Sequence, residues 1–153
     1  MAFGKTLKSK YEVRNISKYM GDASNVICRS SWEYFLCNFL DSSPIVEKWA
    51  SEEISIPYIS PKDGRDHKYF IDFFVVFKDG RKVFIEVKPH AQTLPPAMPK
   101  RKSRKAEGRY AEEAMIYNVN QAKWHSARNF AKYNDATFEV FTEHHLKKLG
   151  MPI

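Results

Sequence analysis

The sequence predicts a mixed α/β domain in which helices flank one central sheet. Three observations predict this class: a capped helix pattern near Ser30, two strongly apolar strands at 69–77 and 81–88, and a long helical segment followed by a short strand. The chain has 153 residues, of which 43% are hydrophobic, so it has the size and apolar content of one compact domain and is not a disordered chain. We assign residues 23–153 to this single domain.

The first helix is predicted over residues 30–41. Ser30 followed three positions later by Glu33 is a capping-box pattern, and apolar side chains recur at helical spacing on one face. These side chains are Trp32, Phe35, Leu36, Phe39 and Leu40. Cys28 and Cys37 are assigned to the same helical segment at a separation that keeps them apart, so we expect reduced thiols, as in a cytoplasmic protein.

Three strands are predicted next. Residues 53–58 alternate apolar and polar positions and contain Pro57, which cannot donate a ladder hydrogen bond, so this strand is expected near a sheet edge. The segments YFIDFFVVF at 69–77 and RKVFIEVK at 81–88 are apolar on both faces, as in central strands that are covered on both sides. A turn through Asp79 and Gly80 joins them.

The remaining elements follow from local signals. Pro89 ends the second apolar strand, and the segment 89–109 is so rich in proline and charge that we expect an exposed basic loop. Residues 110–132 have helical spacing, residues 137–141 form a short strand, and Thr142 can cap a last helix.

The net charge of +7 is unevenly distributed. Residues 1–20 carry five Lys or Arg against one acid, and residues 89–110 carry six against one. Such patches indicate a polyanionic partner, with nucleic acid first and an anionic membrane or an acidic protein second. Double-stranded DNA is the partner that we expect, and the alternative is a solvated charge run that only aids solubility. We predict a basic arm over 1–22 and DNA contacts from both segments. The predicted contacts are Lys5, Lys8, Lys10, Lys100, Arg101, Lys102, Arg104, Lys105 and Arg109.

Membrane association is not expected. No stretch reaches the roughly 18 uncharged apolar residues that a membrane span needs. The first residues also lack the apolar centre of a signal peptide. We therefore expect a soluble protein that is not exported.

Three charged residues interrupt the two central strands: Asp72, Glu86 and Lys88. Strand alternation puts Glu86 and Lys88 on one face. A two-residue turn would direct Asp72 away from Glu86, whereas a three-residue turn with Gly80 in the left-handed conformation would place the two acids opposite each other. Facing carboxylates repel unless a cation lies between them, so we predict the three-residue turn and a divalent metal ion.

Oxygen ligands from two carboxylates suit Mg²⁺ or Mn²⁺, and the sequence lacks the spaced Cys and His residues of zinc sites. A magnesium ion held by two carboxylates and a substrate phosphate is a common setting for phosphodiester hydrolysis. Lys88 would then hold or deprotonate the attacking water, or neutralise charge on the phosphate. The alternative is a structural salt bridge in which Lys88 pairs with both acids.

Asp72 followed by Glu86-Val87-Lys88, after a helix that bears Glu33, resembles the PD-(D/E)XK nuclease superfamily. Its restriction-endonuclease-like core has the order αβββαβ, and the resemblance spans about residues 30–146. It departs from the family pattern at Ile71, which stands in place of the proline.

The resemblance implies a Mg²⁺-dependent endodeoxyribonuclease and assigns site residues. Asp72, Glu86 and the main-chain carbonyl of Val87 would bind the metal, and Glu33 would contact it, often through water, or serve only as a helix cap. Polar residues on the long helix, Gln121 and Lys123, and His90 after the second strand are candidate auxiliary residues. No base-reading motif is present, so we expect cleavage directed by DNA structure or ends.

Three segments, MAFGKTLKSKYEVRN, RSSWEYFLCNFLD and FIEVKPHAQTLPP, together resemble the head completion nucleases of T-even bacteriophages. This resemblance implies endonuclease and possible exonuclease activity on DNA of filled heads before tails join. It implies phage capsid, portal or neck proteins as partners, and a location in the host cytoplasm during assembly or on the virion. Two alternatives stay open: a structural plug for the DNA end on a degenerate nuclease fold, and a transposon-end or repair endonuclease.

Overall fold

The computed structural model describes residues 8–152. Short 3-10 helices lie at Ile16–Lys18 and His90–Thr93. The α-helices are α1 (Ser31–Ser42), α2 (Arg104–Tyr133) and α3 (Glu143–Lys148). The strands are β1 (Ser9–Lys10), β2 (Ile27–Cys28), β3 (Val46–Ser51), β4 (Ser55–Ile59), β5 (Asp66–Phe70), β6 (Phe73–Phe77), β7 (Lys82–Val87) and β8 (Thr137–Phe141).

A four-stranded mixed sheet forms the centre of the domain. Its strand order is β3-β6-β7-β8, with β7 and β8 parallel and the other neighbours antiparallel. The two strands predicted to be central, β6 and β7, are central. The elements α1, β3, β6, β7, α2 and β8 keep the order αβββαβ, with the β4–β5 hairpin inserted after β3. The predicted α/β class with a restriction-endonuclease-like core is confirmed.

Two strand predictions are only partly correct. The strand predicted near a sheet edge at 53–58 is present as β4, but among residues 8–152 it pairs with β5 in a separate two-stranded sheet and not with the central sheet. The first strand of the central sheet is instead β3, whose irregular burial and register shift near Lys48 hide the alternation that identifies a strand. The predicted strand at 69–77 is broken at Ile71 and Asp72, because Ile71 N–H donates to Ile54 O at 3.1 Å instead of continuing into the next ladder.

The central sheet separates two apolar cores. The α1 side contains Trp32, Leu36, Trp49, Phe73, Val75 and Ile85. The side covered by α2 and the β4–β5 hairpin contains Ile56, Tyr69, Ile71, Phe84 and Ala127. Successive residues of β7 alternate between these cores, so Glu86 and Lys88 share the face of Phe84, toward α2 and the hairpin.

The basic segments are more ordered than expected. The sequence predicts one arm over residues 1–22, of which Lys5 lies outside the described residues. In the described part of this arm, β1 pairs with β2, and Tyr11 is only 2% exposed. In the second segment, Ser103 caps α2 by accepting a hydrogen bond from Ala106 N–H at 3.1 Å. Arg104, Lys105 and Arg109 therefore belong to the helix and not to the predicted loop at 89–109.

The two cysteines do not share a helix, because the chain turns at Ser30, the residue that caps α1. Cys28 lies in β2 and Cys37 in α1, and both are fully buried. Their Sγ atoms are 3.4 Å apart, so the expectation that they stay apart is wrong. This distance is longer than the ~2.05 Å of a disulfide bond, and both residues are free thiols.

Asp41 ties the N-terminal segment to the end of α1. Its buried carboxylate accepts hydrogen bonds from Tyr11 Oη at 2.8 Å, Arg14 N–H at 2.8 Å and Asn15 N–H at 3.1 Å. Lys18 Nζ donates to the Asp41 carbonyl at 3.0 Å. One carboxylate thus satisfies three donors that would otherwise be left without partners.

We predict that Asp41→Ala lowers the free energy of unfolding by about 3 kcal/mol, because it leaves one buried and two partly buried donors without their acceptor. Urea denaturation measures the change. Ser42→Ala is the control, because Ser42 is exposed and its hydroxyl only donates to Asn38 O within the same helix. A loss as small as that of the control would contradict the assigned role of Asp41.

Candidate active site

The turn between β6 and β7 sets the register of the two acids. Gly80 has φ of 94° in a three-residue turn, as predicted. The ladder pairs Phe73 with Ile85, and one further step in the same register brings Asp72 opposite Glu86. The predicted three-residue turn is confirmed, and with it the face that the acids share.

Asp72 sits at the break between β5 and β6. Its Oδ2 atom accepts a hydrogen bond from Val87 N–H at 2.8 Å, across the hairpin. Burial raises the pKa of Asp72 well above its usual range, and the nearby charges of Glu86 and Glu33 raise it further. Asp72 is therefore a carboxylate whose ionised form is costly without a cation.

Glu86 is 7% exposed and has two partners. Its Oε2 atom accepts a hydrogen bond from the Tyr69 hydroxyl, and its Oε1 atom lies 3.7 Å from Lys88 Nζ. Burial raises the pKa of Glu86, while the charges of Lys88 and Lys123 and the Tyr69 hydrogen bond oppose that rise. Lys88 is thus brought to the carboxylates, as strand alternation predicts.

Glu33 approaches the same site from α1. It occupies the first turn of the helix and is 7% exposed. Its N–H donates to Ser30 Oγ at 3.2 Å, and Arg29 N–H donates to its Oε1 atom at 3.4 Å. Burial raises the pKa of Glu33, and its charge in turn acts on Asp72. Glu33 is therefore part of the helix cap and also electrostatically coupled to the acids.

The auxiliary candidates differ in position. Lys123 Nζ lies 5.5 Å from the Tyr69 ring centroid, close enough for its charge to act on Glu86. Gln121 is half-buried, and its side chain makes no hydrogen bond within residues 8–152. His90 contacts α3 and not Asp72 or Glu86. Its main-chain N–H donates to Glu143 Oε1 at 2.8 Å, and the centroid of its exposed ring lies 5.3 Å from that of His144.

Tyr69 was missed from the sequence. It belongs to the segment predicted as one continuous strand, where an aromatic residue looks like ordinary core. The available signal was chemical: a buried tyrosine keeps a hydroxyl that needs a partner, and the acids of the neighbouring strand are acceptors.

Comparison with known proteins identifies the family to which the chain belongs. Residues 43–143 match the family described as TnsA-like endonuclease N terminal, a PD-(D/E)XK-type nuclease domain. The chain belongs to this family. It is also 36% identical over 141 residues to the head completion nuclease of Enterobacteria phage T4, a match that covers 92% of this chain and 94% of the phage protein. Both resemblances inferred from the sequence are confirmed.

A cation between Asp72 and Glu86 would need ligands besides these protein side chains. Among residues 8–152, no three His, Cys, Asp or Glu side chains converge closely enough to hold a metal ion by themselves. Mg²⁺ commonly takes one or two protein carboxylates and completes its shell with water and phosphate. Asp72 Oδ1 accepts no hydrogen bond from the described residues, and Glu86 Oε1 has only the 3.7 Å ion pair with Lys88, so one oxygen of each acid fits this use.

The predicted DNA contacts from Lys8 onward lie on the surface of the protein, and those from Lys100 to Arg109 fall within the residues that match the TnsA-like family. The exposed residues are Lys8, Lys10, Lys100, Arg101, Lys102, Arg104, Lys105 and Arg109. Within the described part of the chain, none of them forms an ion pair. No helix in residues 8–152 is long and apolar enough to cross a membrane.

We predict that Asp72→Asn stabilises the metal-free protein, and more at pH 8 than at pH 4. Because the pKa of Asp72 is raised in the folded state, its contribution to stability is fully present below the unfolded pKa and is lost as pH rises through the folded value. Thermal unfolding in EDTA at both pH values measures this. Asp66→Asn, at an exposed position of β5, is the control and should keep the wild-type difference in stability between pH 4 and pH 8. Equal gains for both variants would contradict the assignment.

Proposed function

We propose that this protein is a divalent-metal-dependent DNA nuclease that hydrolyses phosphodiester bonds as an endonuclease and also as an exonuclease. The observation that carries the proposal is the facing pair Asp72 and Glu86 with Lys88 beside them, at the end of two central strands. The buried Glu86 and the half-buried Asp72 in one place are unfavourable for folding and serve no structural purpose that a salt bridge to one acid would not serve. The TnsA-like endonuclease family and the name of the phage relative both support a nuclease.

Asp72 and Glu86 would hold Mg²⁺ or Mn²⁺ together with the main-chain carbonyl of Val87, and Glu33 would contact it through water. When bound, the cation would stabilise charge on the scissile phosphate and lower the pKa of a bound water molecule. Val87 N–H keeps one oxygen of Asp72 engaged, which orients the other toward the site. The raised pKa values of both acids support a cation as their missing partner.

Lys88 would orient the attacking water and stabilise charge on the phosphate, and could also accept the proton of that water. Its side chain is 22% exposed, so it can reach both the carboxylates and a bound substrate. Its Nζ is 3.7 Å from Glu86 Oε1, and an ammonium group has three N–H donors. The salt bridge therefore leaves donors for the substrate, and the structural and catalytic interpretations of Lys88 are compatible.

We further propose that the protein acts in phage head completion, before heads and tails join. The 36% identity to the T4 head completion nuclease across 92% of the chain supports this role over that of a transposon-end or repair endonuclease. Phage capsid, portal or neck proteins would be its partners, in the host cytoplasm during assembly or on the virion. The complete set of Asp72, Glu86 and Lys88 opposes the alternative of a structural plug on a degenerate fold.

The test is plasmid cleavage in Mg²⁺ and in EDTA. We expect cleavage only with the metal, none with Asp72→Asn, and a rate lowered about 10²–10⁴-fold by Lys88→Ala, as for loss of a group that acts in proton transfer. Lys82→Ala, an exposed lysine at the start of the same strand, is the control and should cleave like the wild type. Cleavage by Asp72→Asn at the wild-type rate would exclude this site.

The basic surface would bind the DNA backbone. Arg104 and Lys105 lie in the first turn of α2, where the helix dipole is positive and lysine or arginine is intrinsically unfavourable. Their placement, next to Lys100, Arg101 and Lys102, makes sense if phosphate groups offset the repulsion. Contacts of this kind are independent of sequence and depend steeply on salt.

Reversing the charges of Lys100, Arg101, Lys102, Arg104 and Lys105 together should weaken DNA binding. The slope of log K against log salt should also become shallower, by about 0.9 for each phosphate group that the variant no longer neutralises. Fluorescence anisotropy across salt concentrations measures both. The control compares two double variants of equal net charge: one reverses Lys100 and Arg101, and the other reverses Lys147 and Lys148, which are exposed near the C-terminus. If the two variants bind alike, the segment does not contact DNA.

A further inference from the structure

The closest hydrogen-bond donor to the Glu86 carboxylate, among residues 8–152, comes from outside the central sheet. Tyr69 lies on β5, in the two-stranded sheet, and is 6% exposed. Its hydroxyl donates to Glu86 Oε2. A residue of the β4–β5 hairpin therefore contacts β7 of the central sheet and donates a hydrogen bond to one of the two predicted metal ligands.

The two acids are held in parallel ways. Val87 N–H engages Oδ2 of Asp72, and the Tyr69 hydroxyl engages Oε2 of Glu86. Each carboxylate thus keeps one oxygen bound to a donor and presents the other. Partners that hold a ligand in this way orient it and commonly change metal affinity when they are removed.

The Tyr69 ring is itself fixed in place. The Tyr69 ring packs edge-to-face against the Tyr58 ring, with 6.5 Å between their centroids. Lys123 Nζ lies 5.5 Å from the centroid of the Tyr69 ring. Glu86, in contrast, has a flexible side chain whose other contact is the ion pair with Lys88. Without the hydroxyl, the carboxylate can turn toward Lys88 with either oxygen. The rigid ring therefore supplies the orientation that Glu86 lacks.

We propose that Tyr69 is a positioning residue that holds Glu86 through Oε2, so that Oε1 alone is presented to the divalent cation. The β4–β5 hairpin is thereby part of the active site. This inference rests on the proposed function, because it assigns Tyr69 a role in the same metal site.

Tyr69→Phe tests the inference because it keeps the ring and removes only the hydroxyl. Tyr58→Phe is the matched control: Tyr58 is 8% exposed on the same hairpin, and its hydroxyl makes no hydrogen bond with the described residues. Mn²⁺ binding is measured by isothermal titration calorimetry without DNA, and plasmid cleavage is measured as a function of Mg²⁺ concentration.

We expect Tyr69→Phe to bind Mn²⁺ about 10- to 100-fold more weakly, and cleavage to require a correspondingly higher Mg²⁺ concentration. Tyr58→Phe should match the wild type in both measurements. Circular dichroism and thermal unfolding check that both variants fold.

Three results would overturn the inference. Wild-type Mn²⁺ affinity in Tyr69→Phe excludes a positioning role but leaves the nuclease proposal in place. Equal losses in Tyr69→Phe and Tyr58→Phe assign the effect to hairpin packing and not to the hydroxyl. A wild-type protein that neither binds Mn²⁺ nor cleaves DNA in Mg²⁺ removes the proposed function, and the role of Tyr69 with it.

Discussion

The repulsion between two carboxylates that face each other in the sheet is the constraint on which the rest of the site depends. Asp72 and Glu86 are opposed in register and largely removed from water, so each raises the cost of ionising the other. The surrounding structure opposes this cost with one donor for each acid and with the cationic side chain of Lys88. These contacts reduce the repulsion without neutralising it, and this remaining repulsion is the reason for which we propose a divalent cation at the site.

The break between β5 and β6 makes this arrangement possible. A continuous strand through 69–77 would keep Tyr69 in the same sheet as Asp72. Because Ile71 bonds to Ile54 instead, β5 leaves the central sheet and pairs with β4. The hairpin then packs over one face with α2, and Tyr69 points back at Glu86. The strand break thus places the β4–β5 hairpin, and with it Tyr69, against a face of the candidate site that the four-stranded sheet alone does not cover.

Local signals in the sequence were enough to predict the elements that hold the three charged residues. Strand alternation placed Glu86 and Lys88 on one face, and a glycine suited to positive φ predicted the turn that brings Asp72 opposite. Features that depend on distant partners were missed. The contact of Tyr69 with Glu86 joins separate sheets, and Asp41 binds donors about 26 to 30 positions away. The spacing of residues along the sequence does not reveal such contacts, because each of these residues is typical of its own helix or strand.

The length of α2 fixes the spacing between the basic side chains at its start and the carboxylates of the candidate site. The helix has 30 residues and carries the basic side chains at its start, whereas Lys123, beside the carboxylates, lies near its last third. At 1.5 Å per residue, Arg104 and Lys123 are separated by about 28 Å along the helix axis. This equals about eight base pairs of duplex at 3.4 Å each. Under the proposed function, a straight duplex that contacts both Arg104 and Lys123 would extend about that far from the scissile bond.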